Sequence, residues 1–222
     1  MSIMAANKTP QEGIVNFAKI FLAGYVLFSL PGTLIAQDRM PPISTDKMTD
    51  AQKKVAAELV AGPRGALVGP FIPLLRSPEF MNRLQKTGEY IRYENSLGHK
   101  LTEFTILITS RYWTQEFEWD AHYDLALKAG VDSAVLAAVR EGRRPTGMSA
   151  DEEVVYDFSS ELRQNQSVTD ATYARAVKAF GEQGVIDLTG TIGYYTLLGM
   201  IMNVARTPLP DGKAPALAAF PH

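Results

Sequence analysis

The placement of helix-starting and helix-ending residues constrains this chain more than any other feature of its sequence. Apolar residues recur at helical spacing over residues 47–61, and Gly62-Pro63 stops that run. Residues 64–71 read as a loop, whose glycines lack the Lys-Ser/Thr ending that a phosphate-cradling P-loop needs. Ser77-Pro78-Glu79 predicts a helix running to about Asn95, with the serine as cap and the proline in the first turn. Further helices are expected over about residues 101–110, 114–129 and 132–141, with Gly130 free to take the left-handed conformation that closes the second of these. Ser149 and Glu152 have the spacing of a capping box for a helix to about Gln166. Thr169 caps the next, which ends near Gly181, and the last long helix covers about residues 183–203 before Pro208 and Pro210 end regular structure. No segment sustains the alternation of a strand, so the expected fold class is all-α.

With 222 residues, 46% of them hydrophobic and 21% charged, the chain is long and apolar enough to bury one ordinary core. Its net charge of -2 gives no basic face to displace phosphate counterions, so nucleic acid is not an expected partner. Ahead of that core, Lys19 precedes an apolar run, Ile20 to Leu30, that Pro31-Gly32 breaks. The run is short for a bilayer span and matches a secretory h-region, with Ala36 as a cleavage edge before Gln37. Leu34 departs from the small residue that such a site prefers, and a buried or amphipathic helix belonging to the fold is the competing reading. The expected organisation is a signal peptide over residues 1–36, an N-terminal extension with one helix over 37–62, a main helical domain over 63–206 and an irregular tail over 207–222. Export to the periplasm or the exterior follows from it, with no membrane span after processing and with the cytoplasm as the alternative.

Cysteine is absent, which excludes disulfides, thiolate zinc sites, iron–sulfur clusters and any thiol nucleophile. The three histidines, His99, His122 and His222, are too few and too scattered to predict a metal site. Neither a metal nor a cofactor is expected.

The residues that carry chemistry cluster between Leu101 and His122. Glu118 and His122 lie four apart, which places both on one helix face. A carboxylate beside an imidazole favours the protonated ring while burial opposes it, so such a pair can be poised for proton transfer near neutral pH. Trp113, Phe117, Trp119 and Tyr123 surround the pair in sequence and bring apolar surroundings to it. Standing against this, a Glu–His pair at this spacing is more often a surface or capping interaction, and such aromatics are more often core.

With these residues in place, the sequence resembles the carboxymuconolactone decarboxylases and the related alkylhydroperoxidase-D-like proteins, over about residues 63–206 and most closely over 103–130. The resemblance implies an alkylhydroperoxidase-D-like helical domain. In the peroxidase branch a glutamate on one helix precedes a Cys-x-x-Cys pair and a histidine on the next, and Glu103 and His122 match the glutamate and histidine. The thiol positions fall on Gln115 and Glu118, neither of which can attack peroxide. What the resemblance leaves is the cofactor-free decarboxylase branch, in which a small carboxylated lactone loses carbon dioxide and a ring carbon is protonated.

On that reading Glu118 and His122 handle the proton, Glu103 joins them or orients His122, and Arg111 holds the substrate carboxylate by a bidentate contact. A surface cation near a helix C-terminus is the competing reading for Arg111. Tyr112 and Trp113 read more as packing than as ligand residues, and the pair Tyr194-Tyr195 is ambiguous between the two. The resemblance also implies a small organic acid as partner and a homo-oligomer, trimer or hexamer. The apolar last helix agrees with assembly, because a helix hydrophobic nearly all round must be buried by something. The main competing function is a non-catalytic binding or assembly protein on the same scaffold. The family's peroxidase activity is the weaker alternative.

Overall fold

The computed structural model describes residues 37–218, so the expected signal peptide lies outside the described residues. Among those residues there are eight α-helices and no strand. They are α1 (Asp50–Ala61), α2 (Phe71–Leu74), α3 (Pro78–Glu89), α4 (Gly98–Tyr112), α5 (Glu116–Lys128), α6 (Ser133–Arg140), α7 (Ala150–Asn165) and α8 (Asp170–Ala205). A π-helical turn, Tyr90–Glu94, continues α3.

Local chemistry accounts for most of the boundaries. The Ser149 hydroxyl accepts from Glu152 N at 3.3 Å while the Glu152 carboxylate accepts from Ser149 N at 2.7 Å, so the predicted capping box forms. Thr169 accepts from Thr172 N and opens α8. Gly130 has a φ of 95° just past α5, as its place after the helix requires. Gly181, at φ 69°, takes non-helical geometry inside α8, which divides it where the sequence separates two helices.

Three expectations differ. Ser77 makes no side-chain cap hydrogen bond, because its backbone lies at φ -127° and ψ 75°; α3 starts on Pro78 instead. The expected loop over 64–71 gives way to one short helical turn, α2, at Phe71–Leu74, entered through Pro70 with its φ already at -63°. Helix α4 begins at Gly98 rather than near Leu101, after the Asn95 side chain has accepted Leu97 N and donated to the Thr102 hydroxyl.

Helix α4 runs through the middle of the bundle and is buried continuously from Leu101 to Arg111. Phe104, Leu107 and Ile108 pack into one apolar cluster with Trp119, Leu136, Val155, Phe158 and Leu188. Ile106 enters a second cluster with Leu59, Leu75, Met81, Leu198 and Met202. Burying a helix on all sides puts its polar residues in the interior too. The hydroxyls of Thr105, Thr109 and Ser110 donate to carbonyls one turn back at 2.7, 2.8 and 2.7 Å, which satisfies them within the helix. Glu103 has no such local solution and must find its partner on another helix.

Helix α8 is long and apolar enough to cross a membrane by length and composition, yet half of its most apolar stretch is buried inside this fold. Leu188, Thr191, Leu198 and Met202 face the core, whereas Ile186 and Val204 are exposed. The tail after α8 is irregular but anchored, since Ala216 N and Leu217 N donate to the Glu116 carboxylate at 2.8 and 2.9 Å.

Candidate functional site

The turn between α4 and α5 sets the site. Gln115 N donates to Ser110 O at 2.8 Å, and the Gln115 side chain accepts from Phe117 N at 2.7 Å, which starts α5. Its Nε2 also donates to Asn203 Oδ1 at 2.9 Å, and Asn203 Nδ2 donates to the Trp113 carbonyl at 2.9 Å. The first turn of α5 is thereby tied to α8 as well as to α4. Held this way, α5 turns Glu118 and His122 towards α4.

There they meet Glu103. His122 Nδ1 lies 2.6 Å from Glu103 Oε2, and His122 Nε2 lies 3.2 Å from Glu118 Oε2. Glu103 is 0% exposed, and Glu118 and His122 are each 3% exposed. An imidazole donates through both nitrogens only when it is protonated, so the two carboxylates select the imidazolium. Burial is the largest single influence on His122 and lowers its pKa, but the hydrogen bonds and charges of Glu103 and Glu118 together outweigh it and raise the value above the ordinary histidine range. Glu103 Oε1 and Glu118 Oε1 are buried and have no hydrogen-bond partner among the described residues. The half-exposed His99 approaches Glu103 Oε1 at 3.8 Å.

Tyr195 of α8 closes the fourth side. Its ring meets the His122 ring edge to face, with centroids 5.3 Å apart. Burial, reinforced by the Glu118 charge, pushes the Tyr195 phenol well above its ordinary range, so the ring stays neutral beside the imidazolium. Tyr194 is pushed up to about 12, again chiefly by burial. Sequence reading leaves this pair ambiguous and outside the site; the one available signal was two tyrosines inside an apolar helix, where a hydroxyl needs a reason to be buried.

Arg111 sits in the last turn of α4 and is buried, not on the surface. Burial lowers its pKa, with the Glu116 charge acting the other way. The structure therefore brings Glu103, Glu118 and His122 into one hydrogen-bonded chain, with Arg111 two turns further along α4 from Glu103. The cavities of about 880, 370 and 300 Å³ are lined by other residues. Among the described residues, no group of three or more His, Asp or Glu side chains has metal-holding geometry.

Residues 78–157 match the family model of carboxymuconolactone decarboxylase. Over that segment, the chain is similar to the carboxymuconolactone decarboxylase family. No curated protein matches it. The matched segment is shorter at both ends than the 63–206 expected from the sequence, and it contains Glu103, Arg111, Glu118 and His122. Within this matched segment, Gln115 is a helix cap bonded to Asn203 and Glu118 accepts from His122. Both positions where the peroxidase branch carries thiols are thus occupied by hydrogen-bonding groups.

Proposed function

We propose that this protein catalyses cofactor-free acid–base chemistry on a small carboxylated lactone or a related organic acid, by decarboxylation or isomerisation. The observation that carries this reading is the buried chain Glu103–His122–Glu118, closed at 2.6 and 3.2 Å. His122 is the proton reservoir. Glu103 fixes the ring through Nδ1 and keeps it charged, while Glu118 accepts from Nε2 through one oxygen and has a second, Oε1, without a partner among the described residues. A proton passed from His122 to Glu118 Oε2 leaves a neutral imidazole still hydrogen-bonded to Glu103, and Glu118 delivers that proton once its carboxyl group turns Oε2 away from His122.

In a decarboxylation, the bond between the ring carbon and the carboxylate carbon breaks. Carbon dioxide departs and the electron pair passes into the conjugated lactone. Glu118 then protonates a ring carbon, and water restores the proton to the relay. Arg111 is the proposed holder of the substrate carboxylate, and a homo-oligomer and export are part of the same reading. The family's peroxidase activity is not, because the chain has no cysteine to form a sulfenic acid.

A second reading, a non-catalytic binding protein on this scaffold, is favoured by how completely Glu103 and His122 are enclosed. Carboxymuconolactone offered to the full chain separates the two. Carbon dioxide release that Glu118→Gln abolishes supports the enzyme; no turnover by the native chain supports the binding protein.

A further inference from the structure

A cavity of about 300 Å³ lies between α4, α7 and α8. At about 100° per residue, Tyr112 sits on the side of α4 opposite Glu103. The cavity is therefore backed by the far side of the helix that carries the proton chain. Its walls are largely apolar, with Ile108 and Trp113 from α4 and its cap, Leu162 from α7 and Ile192 from α8. The Arg163 guanidinium enters it over the Tyr112 ring, 4.6 Å from the centroid.

Two hydroxyls of this cavity are satisfied by the protein, and a third is not. The Thr109 hydroxyl donates to Thr105 O at 2.8 Å, and the Thr196 hydroxyl accepts from Trp113 Nε1 at 3.2 Å. Ser159 is 3% exposed, and its Oγ has no hydrogen-bond partner among the described residues. A buried hydroxyl left without a partner is costly, and a ligand that supplies the partner explains a serine in that position. Tyr112, Arg163 and Gln166 also line the open cavity of about 880 Å³, so the small cavity adjoins it and has an entrance.

We propose that this cavity is a second binding site, separate from the Glu103–His122–Glu118 chain, and that it takes a small monocarboxylate with an apolar ring. The carboxylate pairs with the Arg163 guanidinium and accepts from Ser159 Oγ, while the ring lies against Ile108, Leu162 and Ile192. A planar guanidinium matches a carboxylate in two parallel hydrogen bonds. A single cation in a mostly apolar wall suits one negative charge better than the two of a phosphate. The volume is at the low end for ligand sites, which run from about 300 Å³, and fits one ring with its acid group. Burial depresses the Arg163 pKa, with Tyr156 and Tyr112 acting the other way.

The proposal does not depend on the chain being an enzyme. It is tested by titrating benzoate into the full chain by calorimetry. Saturable binding is expected, and benzamide, with the same shape and no charge, should bind about tenfold more weakly or worse. Arg163→Gln should weaken benzoate by a similar factor. Ser159→Leu, which fills the cavity without touching the arginine, should abolish binding in a chain whose far-ultraviolet circular dichroism is unchanged. Glu118→Gln should bind benzoate as the native chain does, because Glu118 packs on the other side of α4. The proposal is overturned if benzoate does not saturate, if benzamide binds equally well, or if Glu118→Gln loses binding that Arg163→Gln and Ser159→Leu retain.

Discussion

On one side of α4, Glu103 meets His122 at 2.6 Å in a region closed by α5 and the Tyr195 ring; on the other, Tyr112 and Thr109 face a cavity of about 300 Å³ in which the Ser159 hydroxyl has no partner among the described residues. The first side is rich in titratable groups and tightly filled. The second holds one cation, Arg163, and open volume. A helix buried on all faces can carry both arrangements, because each face answers to different neighbours. Glu103 could be buried only with a charged partner on α5, whereas the hydroxyls of Thr105 and Thr109 needed nothing beyond their own helix. The hydrogen-bonded Glu103–His122–Glu118 chain and the open volume thus lie on opposite faces of one element.

The largest expected effect concerns turnover. Replacing Glu118 or His122 with Gln should reduce decarboxylation of carboxymuconolactone by about a hundredfold or more, as for a true general acid or base. Steady-state assay of carbon dioxide release reads this, and undiminished rates in both variants would remove the proposed roles. Stability should respond next. Glu103→Ala strips a buried imidazolium of the closer of its two carboxylates, and removing one partner of a buried ion pair costs about 3–5 kcal/mol. Urea unfolding that shows a loss below about 1 kcal/mol would mean that the pair is not charged.

Much of this was legible in advance, though by different routes. The capping box at Ser149, the stop at Gly130 and the break at Gly181 are local signals, and each formed as its residues require. The four-residue spacing placed Glu118 and His122 together, and the family resemblance added Glu103, which no spacing could have linked to a helix it does not share. Ser77 misled because cap propensity says nothing of the backbone angles that α2 imposes just before it. Helix α2 itself is a single turn holding Pro73, too short for periodicity to show. Tyr195 against His122 and the cavity beside Ser159 depend on how α8 lies across α4 and α7, and no sequence pattern encodes a void.

A smaller effect follows from pH. Because the folded pKa of His122 is raised, the stability contributed by its charge is fully present below the ordinary histidine value of about 6.5 and is lost as pH rises through the folded value. The stability difference between the native chain and His122→Gln should therefore shrink as pH rises, and a difference that grows would reverse the sign of the account. The smallest effect belongs to the cavity side. Ser159→Ala removes a hydroxyl that has no partner, so stability should change by less than about 1 kcal/mol, in contrast to Glu103→Ala. A large loss at Ser159 would erase the distinction between the two sides.

The central claim is that His122 is an imidazolium bridging two buried carboxylates. Nitrogen-15 NMR of the histidine ring in the native chain addresses it directly at about pH 7, where an isolated histidine is mostly neutral. The structure predicts protons on both His122 nitrogens at that pH and a titration midpoint above the ordinary value, moved down in Glu118→Gln. A ring with one bare nitrogen at that pH, titrating at or below the ordinary value, would contradict it.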